Sequence, residues 1–122
     1  MSGPKRLAYL DNNATTPVAA ECMDIVLACM RESFGNPSSQ HRLGEQAKRL
    51  VNEARTLVAG LLGALPVDIV FTAGGTDSMN LVANALGQGM KEGDEIILSV
   101  MEHHSNIVPW HFLRERKGVV LK

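Results

Sequence analysis

FTAGGTDSMNLVANAL, Phe71 to Leu86, sets two glycines, a threonine, an aspartate and a serine between a short apolar run and a helical pattern. Gly74, Gly75, Thr76, Asp77 and Ser78 are small or hydrogen-bonding residues placed where a strand hands over to a helix. The first backbone N–H groups of that helix have no internal partner there. Such a turn is a cradle for an anion. It is not a nucleotide P-loop, since no lysine follows the glycines, and it lacks the G-x-G-x-x-G of a dinucleotide fingerprint.

Outward from this turn, the pattern alternates helix and strand. Upstream, DIVFTA is a continuous apolar run of the kind buried in a parallel sheet. From Arg42 to Leu62, apolar residues fall at Leu43, Ala47, Leu50, Val51, Ala54, Leu57, Val58 and Leu61, the rhythm of a long amphipathic helix. The preceding FGNPSSQH, with Gly35, Asn36 and Pro37, is a loop. Glu21 to Ser33 places Cys22, Ile25, Val26, Cys29 and Met30 on one helical stripe, so both cysteines are expected as buried thiols. Downstream, EIILSV is a second strand. SNIVPWHFLRERKG is a helix with Ser105 as N-cap, Pro109 in its first turn and Trp110 in the core, and VVLK starts a third strand. The class is α/β, with a mixed, mostly parallel sheet flanked by helices on both faces.

Ligands bind such sheets at the carboxyl ends of the strands. Two loops lie there: the cradle after Phe71, and MEHHSN with Glu102, His103 and His104 after Val100. An anion cradle beside a pair of imidazoles suits a phosphorylated ligand handled by acid–base chemistry. Taken singly, each is also compatible with a bare helix start or with solvated or capping histidines. Asp11 and Asn13 fit a capped turn, and His41 a cap or a frayed end.

Bulk composition excludes other classes. At 122 residues, 45% hydrophobic and 20% charged, the chain has ordinary globular content. A net charge of −1 gives no reason to expect nucleic acid or an acidic membrane surface as partner. No apolar run approaches the ~20 residues a bilayer needs. MSGPKR has no apolar segment behind it to make a secretion signal, so a cytoplasmic protein is expected. The two cysteines have no neighbours at metal-ligand spacing, and no metal site is expected.

Four motifs in order, YLDNNATTPV, FGNPSSQHRLGEQA, IVFTAGGTDSMNL and MEHHSNIVPW, resemble the N-terminal portion of the NifS- and SufS-like cysteine desulfurases. These are class V aminotransferase-family enzymes of PLP fold type I that use pyridoxal 5′-phosphate (PLP). The resemblance runs from Leu7 to Lys122. It implies residues 1–20 as an N-terminal arm and turn, and 21–122 as the first part of the PLP-binding large domain. It places the phosphate-binding turn on Gly75 and Thr76, and the catalytic histidine that stacks on the pyridine ring on His103. Asn13 and Ala14 would line the substrate side, with His41 near a partner subunit's site. His104 would be structural. TAGGTDS departs from the family's commoner TSGATES, but every change keeps the turn small.

The resemblance further implies release of sulfur from L-cysteine to give L-alanine and an enzyme persulfide for iron–sulfur cluster or thiocofactor assembly. A homodimer and a sulfur-acceptor protein would be the partners. The alternative enzyme is a selenocysteine lyase or another class V aminotransferase: EHHSNIVPW leans toward the selenocysteine lyase-like branch and GNPSSQH toward the NifS-like one. The family's Schiff-base lysine follows a histidine, and none of Lys5, Lys48, Lys91, Lys117 or Lys122 does. The family's pyridine-pairing aspartate, sulfur-accepting cysteine and carboxylate-binding arginine also find no match. The expectation is half a site: a fragment, or one piece that needs a complementing C-terminal half. Alone it would at most bind a phosphate ligand or self-associate through unpaired sheet edges.

Overall fold

A computed structural model describes residues 7–122; the start of the expected arm, with Lys5, lies outside them. The chain divides into two compact units, one ending at Ile69 and the other running from Val70 to Lys122.

The first unit contains helices α1 (Ala20–Glu32) and α2 (Arg42–Leu62), followed by a 3-10 turn at Pro66–Asp68. Helix α2 has the bounds that its periodicity predicts. His41 is its N-cap, with extended backbone and Nδ1 accepting from the Gly44 N–H at 3.3 Å. The GNPSSQH loop folds tightly onto the first turn of α2. A Cβ on Gly44 would sit 2.3 Å from the Ser39 carbonyl oxygen and 2.7 Å from that of Asn36, so only glycine fits. Gly44, Ala47 and Ala59 are buried, and α2 packs against the 66–68 turn. Arg55 ties that packing by donating through Nη1 to the Ile69 carbonyl. The other flank of the predicted stripe, at Leu50, Leu57 and Leu61, is exposed.

Helix α1 corrects one expectation. None of its residues is buried, and both Cys22 and Cys29 are exposed. The stripe is amphipathic as predicted, but among the described residues nothing covers it.

The second unit holds α3 (Gly75–Gly89), strand β1 (Glu95–Ile96), α4 (Val108–Lys117) and strand β2 (Val120–Leu121). The strands pair in parallel with Glu95 opposite Val120 and Ile96 opposite Leu121. Flanking bonds from Val120 N–H to Asp94 O and from Leu98 N–H to Lys122 O extend the ladder at both ends. A Lys122–Glu95 ion pair lies on its surface. This is a β–α–β unit with α4 in the crossover, the connection that a parallel pair requires. Helix α4 ends at Gly118, whose φ of 72° is left-handed, a conformation glycine adopts without steric cost. Helices α3 and α4 pack together, and Ala83, Trp110 and Val119 form the unit's buried apolar core.

Two further expectations are corrected here. DIVFTA forms no strand: Ile69 is extended, but the two strands of the described sheet are Glu95–Ile96 and Val120–Leu121. Ser105 does not cap α4. A separate 3-10 turn, His104–Asn106, precedes that helix, and His103 caps the turn. Trp110 is in the core as expected.

Candidate functional site

The site is built in the second unit from two backbone features. The first is the start of α3. Gly74 precedes the helix, and the N–H groups of Gly75, Thr76 and Asp77 have no acceptor among the described residues. Added Cβ atoms at Gly74 or Gly75 would meet nothing within 4 Å, so the space before the turn is open. The neighbouring polar side chains brace the turn. Thr72 Oγ1 and Ser78 Oγ share a hydrogen bond at 2.7 Å, each hydroxyl oxygen lies 3.2 Å from the Gly74 carbonyl oxygen, and Asp77 Oδ2 accepts from Ala73 N–H at 3.1 Å. Of the five residues of the predicted cradle, Asp77 and Ser78 therefore hold the turn in shape, while Gly75 and Thr76 present it. The Thr76 hydroxyl has no partner among the described residues, and its carbonyl accepts from Asn80 Nδ2 at 2.9 Å.

The second feature is the loop that presents His103. Its ring accepts from the Ser105 N–H at Nδ1, 3.2 Å, and the Ser105 hydroxyl lies 2.9 Å from the same nitrogen. Around it runs a braced chain: Ser99 Oγ donates to Glu102 Oε1 (3.1 Å), Asn106 Nδ2 to Glu102 Oε2 (3.0 Å), and Trp110 Nε1 to Asn106 Oδ1 (2.9 Å). The Asn106 and Ser99 hydrogen bonds hold the Glu102 carboxyl below its ordinary value, because both favour the charged form. His104 stands edge-on to His103, with ring centroids 6.3 Å apart.

Thr76, Asn80, His103, His104, Ser105, Val108 and Pro109 line one cleft of about 320 Å³. Thus the loop that follows β1 and the start of α3 open onto one space. The other residues singled out lie in the first unit. Asn13 and Ala14 are exposed in a turn, where Ala14 N–H donates to the Asp11 carbonyl at 3.1 Å and the Tyr9 hydroxyl reaches the Asp11 and Thr15 carbonyls. His41 caps α2. Among the described residues no group of His, Cys, Asp or Glu could hold a metal ion, and no helix is long and apolar enough to cross a membrane.

The Glu102–Asn106–Trp110 chain escaped the sequence reading. Its signal was there: spacings of four between an acid, an amide and an indole.

The open N-terminus of α3 and the braced His103, on the loop between β1 and α4, thus face one cleft. The chain belongs to the aminotransferase class V family, whose model matches residues 8–122. It is 39% identical over 112 residues to the cysteine desulfurase IscS of Dictyoglomus turgidum, a match covering 91% of this chain and 28% of that protein. To the selenocysteine lyase of Rattus norvegicus it is 46% identical over 84 residues, 69% of this chain and 19% of the relative. Among solved structures, the apo cysteine desulfurase of Thermococcus onnurineus NA1 superposes with a TM-score of 0.82 at 34% identity, covering 92% of this chain and 28% of that one. "SspA in complex with cysteine" gives 0.83 at 35%, covering 93% and 33%. The chain thus spans under a third of the length of the relatives it matches.

Proposed function

We propose that this chain supplies the phosphate-binding and ring-facing part of a PLP-dependent cysteine desulfurase. The observation that carries the reading is the shared cleft between Thr76 and His103. The residues fit the cofactor: an unfilled helix start accepts the phosphate, and an imidazole on the facing loop suits the pyridine ring. Gly75 and Thr76 would hold the phosphate through their N–H groups and the Thr76 hydroxyl, with the helix dipole favouring its charge. His103 would lie on the ring and hold a proton at Nε2, since its Nδ1 is already engaged by Ser105. When bound, PLP supplies an electron sink for the carbon beside the substrate amine. Asn13, Ala14 and His41 are proposed for the substrate side and the dimer contact.

The activity that this serves is removal of sulfur from L-cysteine, giving L-alanine and an enzyme-bound persulfide for iron–sulfur or thiocofactor assembly, in the cytoplasm and in a homodimer. The desulfurase relatives and the cysteine complex of one structural neighbour support cysteine as substrate. The match to a selenocysteine lyase supports selenocysteine as the second reading. Neither Lys48, Lys91, Lys117 nor Lys122 lines the cleft, so the amine that would hold PLP covalently is proposed to come from elsewhere.

The test is an absorption spectrum of the chain with PLP, then borohydride reduction and intact-mass analysis. The reading expects PLP held non-covalently and displaced by inorganic phosphate, with no adduct concentrated on one lysine. A single mapped lysine adduct, or binding indifferent to phosphate, would overturn it. Thr76→Val is expected to weaken PLP binding roughly tenfold, the effect of losing one hydrogen bond to a charged group of about 1.5 kcal/mol.

A further inference from the structure

The histidine at this cleft has two chemically different ring nitrogens, and which of them bears the proton decides what it can do. A backbone N–H can only donate. The Ser105 N–H is aimed at His103 Nδ1 at 3.2 Å, so that nitrogen must present its lone pair. The Ser105 hydroxyl is 2.9 Å from the same atom and can rotate to donate too. A proton on Nδ1 would meet the N–H head-on. The backbone is set for this arrangement: His103 is extended, at φ −66° and ψ 146°, and the Asn106 N–H bonds to its carbonyl at 2.8 Å. The Glu102–Asn106–Trp110 chain pins the same loop to the buried indole.

We infer that Ser105 is a positioning residue for His103, fixing the neutral imidazole as the Nε2–H tautomer. The role is distinct from the helix cap expected of Ser105. It rests on the proposed role of His103 toward the cofactor, but the tautomer itself is a property of this chain alone. With Nδ1 occupied, Nε2 is the only ring nitrogen left to donate to, or exchange a proton with, a ligand in the cleft. His104 provides an internal reference, since no hydrogen bond to its ring is formed among the described residues.

The experiment is ¹⁵N–¹H correlation of the histidine side chains of the full chain, at a pH above the imidazole titration. In the wild type, His103 Nδ1 should resonate as an unprotonated, pyridine-like nitrogen and Nε2 as a protonated, pyrrole-like one, with a higher Nε2–H fraction than His104. Ser105→Ala removes the hydroxyl and keeps the backbone N–H. It should lower the Nε2–H to Nδ1–H ratio by about fivefold, the effect of one neutral hydrogen bond. Ser105→Thr, which retains a hydroxyl, should restore it. A protonated Nδ1 in the wild type would overturn the inference whatever the variants do. So would a ratio that Ser105→Ala leaves unchanged. Adding PLP separates the two proposals: a fixed tautomer with no response of the His103 resonances to PLP would leave the positioning role standing and remove the cofactor reading.

Discussion

At the scale of single residues, the cleft is held by polar side chains that neighbour the residues lining it. Glu102 shows this most directly. Its carboxyl is held low by hydrogen bonds from Asn106 and Ser99. A group whose folded value is depressed contributes stability above its unfolded value, about 4.3 for glutamate, and loses it as pH falls through the lower folded value. Glu102→Gln should therefore be less stable than wild type at about pH 6, with the gap narrowing at about pH 3. Urea midpoints at the two values check this. Trp110→Phe keeps most of the ring volume but strips the donor from Asn106 Oδ1. It should cost about 1 kcal/mol, followed by circular dichroism because the chain has one tryptophan. None of these pairings was foreseen, because whether side chains three or four apart meet depends on the conformation of the intervening backbone, which between Glu102 and Asn106 is an extended residue and a 3-10 turn.

At the scale of elements, periodicity was a good guide and burial a poor one. Helix α2 has the predicted bounds because its apolar positions recur over five turns and its termini carry explicit signals, His41 before it and Gly63 after it. The start of α3 was equally legible, since glycines and small polar residues after an apolar run mark a helix N-terminus. DIVFTA misled because an apolar run of this length signals a wish for burial, not which regular structure, if any, supplies it. Cys22 and Cys29 misled for the same reason: a stripe says which face wants covering, not what covers it. The Gly44 contact supplies a test. Gly44→Ala drives a Cβ into two backbone carbonyls that cannot rotate away. Overpacking of this kind costs about 1–3 kcal/mol, and faster amide exchange should be confined to residues 33–47.

At the scale of the whole molecule, exposed apolar side chains occur in both units: Ile25 and Met30 on α1, Leu57 and Leu61 on α2, Leu86 on α3 and Phe112 on α4. Surfaces of this kind seek partners. The dilute chain should react with a thiol reagent at both Cys22 and Cys29, and the rates should fall as concentration rises if α1 is covered by association. Unchanged rates up to the solubility limit would show that the α1 face stays open.

The measurement that bears most directly on the central claim is an amide-resolved titration of the full chain with PLP, with pyridoxal and with inorganic phosphate. If the Thr76–His103 cleft is the phosphate and ring site, PLP and phosphate both shift the Gly75, Thr76 and Asp77 amides, and His103 responds to PLP but not to phosphate. Shifts scattered over surface lysines, or an α3 start that ignores both anions, would contradict it.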